Sequence, residues 1–308
     1  MPEPWLTFAP LQPHWVLPRD IVLPYYLSEH VSIRPIPEWV RAADTPDMLL
    51  ARLREKLKDG AKSCIAVEYK ADALGSPDPD RTTKPPRSIQ QTAADKIHYT
   101  NLALWLARPT DLSFDLVAHA VNHGIEWVTR QIVRYEPLRA LPDYQSYEYT
   151  LADIEKSRML YQGLDRISRD GTVLLSGGTT MRALCETGWT TRFLLLWIAI
   201  ECLFGPADSR ETTFRLSQRI ALFLESDEGN ARELFEKVKD SYSWRSKVVH
   251  GLRLAKLNEE KSLPLLVDLE QLVRRSLLSI LENDSMATIF DGGERETYLD
   301  GLAFGRNR

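Results

Sequence analysis

The chain has few of the features that mark several common classes of protein. It has only three cysteines among 308 residues, and Cys64, Cys185 and Cys202 form no C-x-x-C pair. This spacing disfavours a zinc ribbon and a disulfide-stabilised fold, and it fits a reducing, cytoplasmic setting. The first residues lack the positive and apolar segments of a signal peptide, so we expect none there.

The chain also lacks an excess of positive charge and a long apolar run. Its formal net charge is −4, which disfavours a generally basic protein that coats nucleic acid but still allows a local basic patch. The most apolar run, Phe193 to Phe204, contains Glu201 and is too short to span a bilayer. Hydrophobic residues make up 44% of the chain, so we expect a sizeable core and no membrane segment.

Two regions of different composition predict an α+β fold class. Residues 1–150 begin with a proline-rich stretch and mix strand-like with helix-like segments, which predicts a mixed α/β domain. Helices are predicted over 46–57 and 88–107, a strand over 64–69, an exposed loop over 72–87, short extended pieces near 15–18 and 21–27, and strands or a helix–strand pair over 114–121 and 127–135.

Residues 151–308 have helical periodicity almost throughout, which predicts a helical bundle. Its helices are expected over 153–167, 180–204 with a break near Gly188, 211–225, 230–240, 244–256 and 265–281, and the tail from Asp291 is expected to hold at most one short turn.

A short basic segment carries the residues best suited to phosphate chemistry. Arg245 offers a planar guanidinium that suits a phosphate, and His250 has a side chain whose unperturbed pKa is close to neutrality. We expect Ser243 to cap the helix that carries both, and Gly251 to end it or to allow a close backbone approach. At 3.6 residues per turn the two side chains are about 140° apart, so more than one helix is expected to shape the site. The alternative is a surface arginine and a histidine favoured by the helix dipole.

Four neighbouring side chains are further candidates. Tyr242 and Trp244 could stack a splayed RNA base, or they could belong to the core. Ser246 and Lys247 could contact phosphate, or they could be solvated.

Glu201 is the candidate to support the arginine of this segment. It lies among apolar residues, where a carboxylate is rarely buried without a partner. Arg245 is the first candidate for that partner, and Arg192, Arg215 and Arg219 are rivals. The alternative is that Glu201 lies at the edge of the bundle and reaches water.

Two other patterns carry weaker signals. His119 and His123 have a spacing that could hold a metal on a helix, but they lack the glutamate of an H-E-x-x-H motif, so no metal site is expected. The stretch from Ser176 to Thr180 resembles part of a phosphate-binding loop but lacks the lysine that should follow, so a plain turn is expected. No cofactor is expected either.

Three segments in the second half carry a family resemblance. They run from Arg192 to Phe204, from Phe214 to Leu224, and from Tyr242 to Gly251, the last with the spacing Arg245-x4-His250. In this order they resemble the Apea-like branch of the HEPN family, the higher eukaryote and prokaryote nucleotide-binding helical bundles, whose motif is R-x4–6-H. The resemblance covers roughly residues 150–285 and says little about the first half.

The resemblance implies a metal-independent endoribonuclease. His250 would transfer protons and Arg245 would hold the phosphate while a ribose 2′-OH attacks it. It also implies a homodimer that brings two motifs to one interface, and a role in bacterial anti-phage defence. The N-terminal domain would then act as a sensor or regulator, with a phage-derived or nucleotide activator.

Two alternatives remain open under the same resemblance. One is a non-catalytic HEPN module for dimerisation or for nucleotide or RNA binding, which the net charge of −4 favours. The other is a toxin that arrests growth and is controlled by an antitoxin. Toxins of that kind carry a tyrosine two residues after the histidine, where this chain has Leu252.

Overall fold

The chain forms two compact units in the computed structural model. They comprise Met1–Asp165 and Arg166–Arg308. The structure describes residues 4–12, 17–41, 48–57, 60–70, 89–122, 127–139, 141, 148–207, 211–250 and 259–305. The predicted extended piece near 15–18 lies partly, and the predicted loop over 72–87 lies wholly, outside these residues.

The first unit is built on an antiparallel sheet. Its strands are β1 (Pro4–Pro10), β2 (Tyr25–Tyr26), β3 (Val31–Pro35), β4 (Ser63–Lys70), β5 (Leu116–Asn122) and β6 (Trp127–Arg134). They pair in the order β2-β3-β4-β1-β5-β6. Its helices are α1 (Glu38–Arg41), α2 (Met48–Leu57), α3 (Ile89–Ala107) and α4 (Leu151–Arg166). The structure therefore resolves the two regions near 114 and 127 as paired strands, and the α+β class is confirmed.

The two faces of this sheet differ in chemistry because side chains alternate along a strand. One face joins α1 and α2 in an apolar cluster, which includes Leu6, Phe8, Val40, Leu53, Cys64, Ala66, Leu116 and Ala118. The other face carries a buried polar group. The hydroxyl oxygen of Thr7 lies 2.9 Å from Nδ1 of His119 and 3.2 Å from the hydroxyl oxygen of Tyr69. Burial lowers the pKa of His119 to about 4.

These contacts bear on the metal hypothesis for the two histidines. His119 lies on a strand, and Thr7 already contacts its Nδ1. His123 lies outside the described residues. Among the residues that the structure describes, no group of three or more His, Cys, Asp or Glu side chains could hold a metal ion.

The second unit is helical. Its helices are α5 (Thr172–Cys185), α6 (Trp189–Phe204), α7 (Thr212–Leu224), α8 (Glu228–Val249), α9 (Glu259–Leu281), α10 (Asp284–Asp291) and α11 (Arg295–Ala303). α5 and α9 pack against α6, while α8 and α11 pack against α7. The core contains Phe193, Trp197, Phe204 and Phe290, each almost completely buried. None of the described helices is long and apolar enough to cross a membrane.

The break that the sequence predicts near Gly188 is confirmed, since α5 ends at Cys185 and α6 begins at Trp189. The turn predicted from Ser176 to Thr180 is wrong, because these residues lie inside α5. The hydroxyl group of Thr180 donates to the carbonyl of Ser176 at 2.8 Å. This bond within the helix satisfies a polar side chain that the sequence pattern assigned to a turn.

The basic segment is the end of one long helix, not a helix of its own. α8 begins after Asp227, whose side chain accepts from the backbone N–H of Asn230 at 2.9 Å. The helix continues to Val249, so the predicted break between 240 and 244 and the predicted cap at Ser243 are wrong. No glycine or proline interrupts residues 230–249, and the real cap lies at the start of α8. Gly251 and residues 252–256 lie outside the described residues.

The tail from Asp291 holds one helix, α11, where at most one short turn is predicted, and α10 comes directly before it. Asn283 caps α10 by accepting from the backbone N–H groups of Ser285 and Met286. Phe290 of α10 and Leu299 of α11 are buried, so tertiary packing stabilises helices that the neighbouring glycines make hard to predict from the sequence.

The boundary between the units also differs from the one in the sequence. α4 belongs almost entirely to the first unit, whereas the sequence groups it with the later helices.

Candidate functional site

The candidate site lies where α6 and α8 meet. Trp197 and Glu201 are one turn apart on α6, and Tyr242 and Arg245 are nearly one turn apart on α8. Trp197 contacts Tyr242, while Glu201 contacts Arg245. The two contacts thus bring one face of α8 against one face of α6.

The central contact is an ion pair between Glu201 and Arg245. Nη2 of Arg245 lies 3.1 Å from Oε1 of Glu201 and donates a hydrogen bond to Oε2 at 3.2 Å. The two side chains are 25% and 27% exposed, so the pair is neither fully buried nor free in solvent. The pairing of Glu201 with Arg245 that the sequence suggests is therefore present. The pair also lies at the edge of the bundle, where the alternative placed Glu201.

The rival arginines have other acidic partners. Arg192 pairs with Glu270 of α9 in the interior. Arg215 and Arg219 both reach Asp300 of α11, at 3.5 and 2.7 Å. These contacts leave Arg245 as the partner of Glu201.

Tyr242 is packed between the ion pair and the core. Its ring lies edge-on to that of Trp197, with 5.1 Å between centroids and an interplanar angle of 86°. The Cζ atom of Arg245 lies 5.5 Å from the Tyr242 ring centroid. Burial together with the nearby Glu201 charge raises the pKa of Tyr242.

His250 lies at the C-terminal end of α8. Its backbone N–H donates to the carbonyl of Ser246 at 3.1 Å, and its side chain is exposed. Within the described residues, no hydrogen bond joins the side chains of Arg245 and His250. The structure thus brings Glu201, Tyr242 and Arg245 into contact and leaves the imidazole of His250 open to solvent.

The remaining candidates lie beside these residues on α8. Ser246 and Lys247 are exposed. Nζ of Lys247 lies 4.2 Å from the centroid of the half-buried Trp244 ring. Trp244 therefore carries a cation on its ring at the surface, in contrast to Tyr242, which contacts the buried Trp197.

Trp197 is a residue of this site that the sequence reasoning missed. It was assigned to the apolar run of α6, and its full burial agrees with that assignment. The available signal was its position four residues before Glu201, since residues four apart share one face of a helix. That spacing predicts that Trp197 lies on the same face of α6 as Glu201 and contacts the same neighbouring helix.

The arrangement is suited to binding and stabilising a phosphate. Arg245 is a permanent cation held by a carboxylate, with part of its surface open. An exposed imidazole and an exposed ammonium group lie within five residues of it, at the end of the same helix. The guanidinium and the ammonium group can hold an anion such as a phosphate, and an imidazole is a side chain that can transfer protons.

Comparisons of this chain with protein-family models, with curated proteins and with solved structures find no match.

Proposed function

We propose that the chain is a metal-independent endoribonuclease whose second unit is a HEPN-type helical bundle. The observation that carries the proposal is the arginine of the R-x4-H motif, Arg245, held 3.1 Å from Glu201, with the exposed His250 at the end of the same helix. The chemistry of RNA cleavage needs a cation at the phosphate and a group that transfers protons, and this segment offers both.

In the proposed reaction a ribose 2′-OH attacks the adjacent phosphate. Arg245 binds the phosphate oxygens and stabilises their developing charge. His250 removes the 2′-OH proton or protonates the leaving oxygen. Ser246 and Lys247, both exposed on α8, lie where they can contact neighbouring phosphates, and Trp244 offers a ring for a splayed base. The products carry a 2′,3′-cyclic phosphate or 3′-phosphate and a 5′-OH.

The working form in this proposal is a homodimer. Each chain supplies one histidine at this site, whereas acid–base cleavage is served best by two titrating groups. A two-fold axis near the ends of the two α8 helices would bring a second His250 into the same cleft. The exposed Val249, beside His250, would then lie at the contact between copies.

A non-catalytic HEPN module for dimerisation, or for nucleotide or RNA binding, is the second candidate function. Two observations favour it. The net charge of the chain is −4, and the Arg245 cation is already paired with Glu201. Such a module would use the same arginine to bind a nucleotide phosphate without cleaving a bond.

The biological setting that fits the proposed activity is cytoplasmic anti-phage defence in bacteria or toxin-like growth arrest. Uncontrolled RNA cleavage harms the cell that makes it, so the activity would need a signal. The first unit is the candidate sensor or regulator, with a phage-derived molecule or a nucleotide as activator.

The test is a cleavage assay with labelled single-stranded RNA and a DNA of the same sequence. Wild-type protein should cleave RNA but not DNA, with and without a chelator. Arg245→Ala and His250→Ala should each abolish cleavage while circular dichroism shows an unchanged fold. Lys239→Ala is the matched control, because it removes an exposed cation from the same helix six residues before Arg245. Undiminished cleavage by folded His250→Ala protein would overturn the proposal.

A further inference from the structure

We infer that Tyr242 is a positioning residue for Arg245, and that it acts through its ring instead of contacting RNA. The inference rests on the proposed function, because it takes Arg245 as the group that binds the scissile phosphate. It assigns Tyr242 a role different from base stacking, which is one of the two roles that the sequence leaves open for it.

The ring of Tyr242 lies against the arginine of the ion pair. Its centroid is 5.5 Å from the Cζ atom of Arg245. Tyr242 precedes Arg245 by three residues on α8, so the two side chains are neighbours on one face of the helix. Tyr242 therefore holds the guanidinium by a cation–π contact.

The position of the Tyr242 ring is itself set by the core. The ring packs edge-on against Trp197 at 5.1 Å, and Trp197 is completely buried. Protein cores are close-packed, so a buried tryptophan cannot shift without moving its neighbours. The contacts from Trp197 through Tyr242 thus connect Arg245 to the rigid interior of the bundle.

Arg245 needs such support because its side chain is long and about a quarter of it is exposed. Both of its contacts with Glu201 are made through Nη2, which fixes one nitrogen but allows the plane of the guanidinium to turn. Contact with the ring of Tyr242 restricts that rotation. Misplacing a catalytic group by about 1 Å can reduce the rate roughly a hundredfold, so a residue that holds the plane affects turnover.

Trp244 provides the contrast on the same helix. Its ring carries Nζ of Lys247 at 4.2 Å, on a surface where a base could lie. We therefore expect substitutions of the two aromatic residues to change different kinetic constants, because Trp244 contributes to binding RNA and Tyr242 to the catalytic step.

The kinetic test compares Tyr242→Phe, Tyr242→Leu and Trp244→Leu with the wild type. We expect Tyr242→Leu to lower kcat roughly a hundredfold and Tyr242→Phe, which keeps the ring, to lower it far less, with KM nearly unchanged in both. Trp244→Leu should raise KM and leave kcat nearly unchanged. A rise in KM with unchanged kcat in Tyr242→Leu, or wild-type kinetics in that variant, would overturn the inference.

A second measurement works without RNA and separates this inference from the proposed function. The N–H resonance of Arg245 Nε is observed by NMR in RNA-free protein and assigned with Arg245→Lys. It should move towards the position of a free arginine in Tyr242→Leu and move far less in Tyr242→Phe, which keeps the ring, whereas Trp244→Leu leaves it in place. An unmoved resonance in folded Tyr242→Leu would refute the positioning role even if the protein cleaves RNA. A moved resonance in a protein that cleaves no RNA would support the positioning role and reject the nuclease.

Discussion

Arg192 on α6 and Glu270 on α9 form an ion pair inside the second unit, where their side chains are only 5% and 1% exposed. Nε of Arg192 donates to Oε1 of Glu270 at 2.7 Å. Oε2 of Glu270 has no hydrogen-bond partner among the described residues. Burial raises the pKa of the Glu270 carboxyl group above its usual range although Arg192 opposes this. The pair therefore joins two core helices while its carboxylate is desolvated.

The first prediction concerns this pair. Glu270→Ala should lower the free energy of unfolding of the second unit by about 3–5 kcal/mol, because it leaves a buried arginine without its carboxylate. The double change Arg192→Met with Glu270→Leu should cost less than Glu270→Ala alone, since it fills the space and removes both charges. Urea unfolding of the three proteins is the measurement. A double variant less stable than Glu270→Ala would show that the charges themselves stabilise the unit.

The second prediction concerns Glu201, whose pair with Arg245 is partly exposed. Such pairs contribute about 0–1 kcal/mol, so Glu201→Gln should leave the melting temperature almost unchanged. It should still lower RNA cleavage roughly tenfold, because Arg245 loses the charge that holds it. Thermal melts and cleavage rates from the same preparations check this. A large loss of stability with normal cleavage would place Glu201 among the residues that hold the fold.

The third prediction concerns acid and the first unit. The pKa of His119 is lowered from 6.5 to about 4, since burial disfavours the charged imidazole. The unfolded chain takes up this proton at a higher pH than the folded one does. His119 therefore contributes stability above about pH 6.5 that is lost as the pH falls towards 4, on the order of 3 kcal/mol.

A substitution at His119 tests this acid dependence. His119→Gln should be less stable than wild type near neutrality, but it should lose less stability between pH 6.5 and 4. Urea unfolding at a series of pH values measures both slopes. Equal slopes in the two proteins would mean that His119 does not cause the acid sensitivity.

The fourth prediction concerns assembly. If two copies share one site, mixing inactive Arg245→Ala with inactive His250→Ala should restore part of the RNA cleavage. In a mixed dimer one chain supplies an intact His250 and the other an intact Arg245 to the same site. Light scattering should give the mass of a dimer for wild type and for both variants. A monomer with full cleavage activity would contradict the shared site. The control is a mixture of Arg245→Ala with Arg245→Lys, in which neither chain supplies an intact arginine.

Local patterns in the sequence predict the elements that have strong signals of their own. Helical periodicity predicted α9 and α3, and the glycine at 188 predicted the break between α5 and α6. The motif residues Arg245 and His250, and a carboxylate at Glu201 that needed a partner, were also evident. These features depend on local spacing and on the cost of burying a charge, both of which can be derived from the sequence.

Which side chains meet depends on how the helices pack together. Four arginines could have paired with Glu201, and the packing of α6 beside α8 selected Arg245. The length of α8 was also decided by packing, because a polar stretch around residue 241 continues a helix when its apolar side meets a neighbour. The contact from Trp197 through Tyr242 to Arg245 joins residues 45 and 3 positions apart. Local spacing reveals the shorter link, whereas the longer one exists only once the helices have packed together.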